Sequence, residues 1–232
     1  MTAQINGDLS IPCSVDTRTL PWSPSPSGSV WRKRVHLVGS PEGGQVTSVV
    51  RYQANSTFPS HEHPDGEEIL VLDGVFSDEQ GDWPAGTFLL NPEGFRHAPF
   101  SKNGCILFVK LRQFPGQDRR HVAVDTNGLA WQSGAEDGLM FKALYEQENY
   151  SDRMQLQKWD AGFRTETISY PEGAEIFVVD GTFSDENGVY EQGHWLRFPA
   201  GAMHQPRTDA GCVIYFKSGG LVYLRSDVVE AR

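Results

Sequence analysis

The chain has 232 residues, a formal net charge of −10, and 38% apolar against 22% charged residues, the balance of a soluble globular protein with one large domain or two small ones. So acidic a surface repels a phosphate backbone, which argues against nucleic-acid binding. The longest apolar runs, "CILFV" (Cys105–Val109) and "IFVV" (Ile176–Val179), are strand-sized and too short to cross a membrane.

Taken in chain order, the opening segment lacks a basic stretch followed by an apolar one, so no secretory leader is read there. Of the three cysteines, Cys13, Cys105 and Cys212, no two form a CxxC pair. That excludes a zinc ribbon or thioredoxin motif, and the odd number suits a reducing, cytoplasmic setting. Leu20–Val35 ("LPWSPSPSGSVWRKRV") is Pro/Ser-rich and reads as an extended arm docked through Trp22 and Trp31. Its Arg32–Arg34 run reads as a solvated patch. Short runs rich in Val, Ile, Leu and Phe follow: "TSVVRY" (Thr47–Tyr52), "EILVLDGVF" (Glu68–Phe76), "GTFLLN" (Gly86–Asn91) and "CILFVKL" (Cys105–Leu111). Gly, Pro, Asn and Asp separate them, the pattern of β-strands joined by turns. "FSDE" (Phe76–Glu79) reads as a hairpin loop.

The pattern then repeats. Pro64–Lys110 lies over Pro171–Lys217 without a gap, and 21 of the 47 positions are identical, so the second half is a copy of the first. The expected fold is all-β: two tandem jelly-roll barrels, at residues 1–120 and 121–232, packed as a pair. Cys105 and Cys212 are expected as small core residues.

The two copies differ where chemistry is expected. His61 and His63 are two apart and share a strand face. The turn "PDG" brings Glu67 or Glu68 back beside them, and His97 follows in "PEGFRHAP". Three imidazoles and a carboxylate suit a divalent transition metal better than calcium or magnesium. In the second copy His61, His63 and Glu67 become Ile168, Tyr170 and Ala174, whereas Glu68 and His97 persist as Glu175 and His204. The carboxylate lost with the histidines is Glu67. The predicted ligands are therefore His61, His63, Glu67 and His97, with one metal in the first barrel. Glu68, "FSDE", Lys110 and the glycines are assigned to the fold. His204 is expected as a hydrogen-bonded histidine in a blind barrel. Tyr170, His194, Trp195 and Arg197 are read as core and surface rather than as a second pocket.

The spacing "H.H…E" followed by "P.G..H", set in short strands, resembles the cupin superfamily. More narrowly, His61–Leu111 resembles the ChrR-like cupins, which occur as the C-terminal half of zinc-binding anti-sigma factors and as free-standing proteins. The resemblance implies a bicupin that holds Zn or Fe, with Mn or Ni also admitted. It implies either a metal-dependent oxygenase acting on a small diketone or phenolic molecule, or a zinc-dependent sensor. The helical zinc domain that grips a sigma factor in that group has no counterpart here, which argues against sigma-factor binding. A small-molecule ligand is expected, and a homodimer is compatible with the pattern. Glu68, Asn91 and Arg96 are the weak candidates for a catalytic group, which the sequence leaves unassigned.

Overall fold

A computed structural model describes residues 4–225. The chain forms two compact units: residues 4–7, 20–128 and 223–225 in one, and residues 8–19 and 129–222 in the other.

In the first unit seven strands lie antiparallel in the order Val122–Asp125, Thr87–Asn91, Glu67–Asp78, Cys105–Leu111, Gln45–Tyr52, Val30–Val38 and Ser23–Pro24. The second unit repeats this order with Cys13–Asp16, His194–Phe198, Ala174–Ser184, Cys212–Ser218, Arg153–Trp159, Leu139–Tyr145 and Gln132–Ser133. Each unit thus has the expected jelly-roll architecture. Among the described residues the only helical turns are the 3-10 segments Thr126–Gly128 and Gly220–Tyr223. No helix among them is long and apolar enough to cross a membrane.

Period-two alternation selects the barrel interior. Ile69 and Val71 point inward, with Leu107, Val109, Val50, Tyr52, Val30 and Leu89, and together they form one buried cluster. Burying each such side chain contributes about 1.5–3 kcal/mol. Glu67 shares the inward face with Ile69. Glu68 falls on the opposite face, directly across from Lys110.

The long strand must bend to close the barrel. Its register against Cys105–Leu111 slips between Ile106 and Leu107, which leaves Leu72 as a bulge, and Gly74 follows at φ 74°. A Cβ at Gly74 would sit 2.2 Å from the Gly104 carbonyl oxygen. The same bulge recurs between Val178 and Asp180, followed by Gly181 at φ 73°. These glycines are kept in both copies because the corner excludes a side chain.

The compact units do not follow the sequence copies strand for strand. Val122–Asp125 opens the second sequence copy, yet it pairs with Thr87–Asn91 of the first unit. Cys13–Asp16 opens the first copy, yet it pairs with His194–Phe198 of the second unit. The registers match, with Val122 opposite Leu90 and Cys13 opposite Arg197. Sequence spacing could not show this reciprocal strand exchange, because β pairing is non-local.

The arm docks as its tryptophans suggested. Lys33 Nζ and Arg51 Cζ lie 4.7 and 4.5 Å from the Trp22 ring centre, both within cation–π range. The Arg32–Arg34 run is not a solvated patch, however. The Arg32 and Arg34 side chains are only 17% and 14% exposed, since alternation along Val30–Val38 turns them toward the same face as Val30.

Gly74→Ala is expected to cost about 2–4 kcal/mol in urea unfolding, through the clash and the φ strain. Gly94 also has a positive φ, but a Cβ there would meet nothing within 4 Å, so Gly94→Ala should cost only about 1 kcal/mol.

Candidate metal centre

The predicted residues meet because short local pairings aim them. His61–Glu62 pairs with Arg96–His97, which sets His61 directly opposite His97. The His63 N–H donates to the Phe95 carbonyl at 2.9 Å, and the His63 carbonyl accepts from Gly66 and Gly94. Asp65 and Gly66, at φ 56° and 70°, then reverse the chain so that Glu67 enters the barrel.

One nitrogen from each of His61, His63 and His97 lies within 4.8 Å of the other two. His63 Nε2 is 2.9 Å from His97 Nε2. Glu67 Oε2 is 3.4 Å from the first and 3.6 Å from the second. A metal–nitrogen bond of about 2.1 Å places adjacent ligand atoms about 3.0–3.4 Å apart, in octahedral or tetrahedral geometry. The donor set has the chemistry of a divalent transition-ion site; the His63, His97 and Glu67 atoms have close to the spacing of one, and the three histidines, without Glu67, form the group that lies within 4.8 Å.

Hydrogen bonds aim each donor. His97 Nδ1–H donates to Asp78 Oδ2 at 3.2 Å, and His61 Nδ1–H donates to the Pro59 carbonyl at 2.9 Å. Because both acceptors hold no proton to give, both rings keep their Nε2 lone pairs for the centre. Asn91 Nδ2 donates to Glu67 Oε2 at 2.9 Å.

Burial holds the His63 pKa down to about 4, opposed by Glu67 and reinforced by its imidazole neighbours and Arg112. His63 is thus a neutral donor. At His97 burial works the same way, but the Asp78 hydrogen bond and the Glu67 charge outweigh it and raise the pKa. Asp78 stays below the usual carboxylate range: hydrogen bonds from His97, the Gln80 backbone and Trp83 overcome its burial.

The donors open onto a cavity of about 80 Å³, walled by Val50, Ile69, Phe76, Leu107 and Val109 and by the Arg32 and Tyr52 side chains. That is room for a few waters or one compact ligand.

The second barrel meets the same histidine with another solution. Tyr170 stands in the place of His63 and bonds through its hydroxyl to His204 Nε2 at 2.9 Å. His204 Nδ1 donates to Asp185 at 3.1 Å. Phe198 replaces Asn91, and Ala174 replaces Glu67, inside the buried aromatic cluster. Leu196 and Phe198 face that cluster, whereas Trp195 and Arg197 lie on the opposite strand face, so these residues share no pocket with Tyr170.

The weak catalytic candidates separate. Asn91 holds Glu67. Glu68 is buried on the far face. Arg96 is 59% exposed and pairs with Glu62, away from the donors. Asp78, assigned to a fold-making loop, is instead the group that orients His97. The signal for it was present: Asp78 and His97 persist together as Asp185 and His204. The thiols of Cys105 and Cys212 are buried and pushed up to about 11 and about 12 by that burial, as core residues should be.

The family described as ChrR Cupin-like domain matches the chain twice, over residues 12–115 and 119–222. No curated protein matches it in sequence. Among solved structures, a candidate dioxygenase from Nostoc punctiforme aligns with TM-score 0.74 at 16% identity, over 91% of this chain and 82% of that one. The bacterial pirin YhhW of Escherichia coli, in complex with nickel(II), aligns with TM-score 0.68 at 13% identity, over 90% and 98%. Salicylate 1,2-dioxygenase of Pseudoaminobacter salicylatoxidans aligns with TM-score 0.67 at 12% identity, over 93% and 82%. At such identities the likeness is one of fold.

Asp78→Asn is expected to weaken metal binding about 10–100-fold at pH 8, because the carboxylate behind His97 is lost. The same change removes what raises the His97 pKa, so proton competition should set in at a lower pH than in the wild type. Zinc titration against a chelator across pH 5–8 measures both effects.

Proposed function

The chain belongs to the ChrR Cupin-like domain family, and from that membership together with the first barrel's geometry we propose that it is a bicupin with one catalytic divalent transition metal. His61, His63, Glu67 and His97 are its ligands, and the reaction is oxygenation of a compact dicarbonyl or phenolic molecule. The observation that carries this reading is the convergence of His63 Nε2, His97 Nε2 and Glu67 Oε2 at 2.9–3.6 Å beside an apolar-walled cavity. The dioxygenases of the same fold lend it support.

A bound iron would supply the dioxygen chemistry and the Lewis acidity. The protein's share is positional. Asp78 and the Pro59 carbonyl fix two imidazole tautomers, and Asn91 holds the carboxylate. Ile69, Phe76, Leu107 and Val109 keep bulk water from the reacting face. With about 80 Å³ available, a small diketone suits the site better than a substituted aromatic ring.

Elemental analysis of protein from its native host should find about one iron per chain. Oxygen uptake with a panel of β-diketones and hydroxyaryl ketones should follow that iron. His63→Ala should weaken metal binding by at least about 100-fold and abolish uptake. Zinc as the sole ion, with no uptake across the panel, would overturn the oxygenase and favour a zinc-dependent sensor.

A further inference from the structure

We propose that the cavity of the first barrel selects an anionic ligand, a compact molecule bearing a carboxylate, and that Arg32 is the residue that recognises it. The inference rests on the reading above in that it places the ligand in the same cavity.

Arg32 lies on the inward face of Val30–Val38, opposite Val50, and its side chain walls the cavity alongside Val50, Tyr52 and the histidines. A guanidinium in an apolar wall costs desolvation that only a paired anion offsets. Among the described residues its anionic partner is Glu42: Nη1 lies 2.8 Å from both carboxylate oxygens. Glu42 is half exposed whereas Arg32 is not, so the pair sits at the cavity mouth with the carboxylate on the solvent side. Only Nη1 is engaged. Among the described residues Nε and Nη2 have no hydrogen-bond acceptor, and two adjacent donors of a guanidinium form the fork that matches a carboxylate.

The second barrel supplies an independent argument. Arg32 pairs in register with Ser23 and Val50, and the residue paired in the same way with Gln132 and Gln157 is Phe141. The guanidinium has therefore gone from the barrel that also lost His61, His63, Glu67 and Asn91. Asp78, Glu68 and Lys110, which do not line this cavity, all persist as Asp185, Glu175 and Lys217. Arg32 varies with the chemistry and not with the fold. Three guanidinium groups, of Arg32, Arg34 and Arg112, contact Glu42, so the surface beside Arg32 is favourable to an anion. Glu42 then acts as the resident carboxylate that an incoming one shares or displaces.

The test compares acetoacetate with acetoacetamide, which has the same shape without the charge, by calorimetric titration under anaerobic conditions. Both cobalt(II)-loaded and metal-free protein are used. Wild-type protein should bind acetoacetate at least about tenfold more tightly, the value of a charge-assisted fork. Arg32→Gln should abolish that preference while cobalt affinity and melting temperature stay unchanged. Arg32→Lys should keep part of it. Glu42→Gln should raise acetoacetate affinity about threefold or more, since the competing carboxylate is gone. Equal binding of the two probes by wild-type protein, binding of neither, or a preference that survives in Arg32→Gln would overturn the proposal. Should cobalt fail to bind, the metal reading falls separately, and the metal-free titrations still decide the role of Arg32.

Discussion

Two imidazole nitrogens 2.9 Å apart inside an apolar barrel set the terms for everything around them. Burial makes protonation of both unfavourable, and a carboxylate 3.4 Å away makes bare lone pairs unfavourable too. One shared proton or one shared cation resolves the conflict. The surroundings are organised for either: Asp78 and Pro59 hold the far sides of two rings, and Asn91 holds Glu67. None of these contacts would matter in water. In a cavity walled by Ile69, Phe76 and Leu107 each is amplified by the low local dielectric.

The second barrel answers the same constraint with a hydroxyl. Tyr170 supplies a hydroxyl to His204, so the buried imidazole keeps a partner at both nitrogens. Tyr190 adds a bond to Asp185 at 3.1 Å. Aromatic bulk then occupies the interior: Phe198 in place of Asn91, Trp159 in place of Tyr52, Phe216 in place of Val109. The histidine–aspartate pair survives because removing either member alone would strand the other, which is worse than keeping both.

Much of this was readable from residues alone, and what was not has physical reasons. Strand positions follow from Val, Ile and Phe at period two. His61, His63 and Glu67 stood out because the second copy lost them together. Asp78 escaped because comparing copies sorts whatever is retained into the fold, and His97 was retained as well. Arg32 escaped because a basic triplet in an acidic chain reads as surface. Yet alternation from Val30 already turns Arg32 inward, and register confirms it opposite Val50. The exchange of Val122–Asp125 and Cys13–Asp16 was beyond reach, since nothing local states which distant edge a strand will join.

That exchange bears on how such a molecule can arise and how it can be cut. As folded here, each repeat surrenders its leading strand to the other's sheet. A solitary repeat would carry one strand with no berth and one sheet edge with no cover. Two solitary repeats would complete each other, so gene fusion converts a reciprocal loan between separate chains into a permanent tether. A blade placed in the connecting segment would sever the covalent path while leaving both halves interlocked.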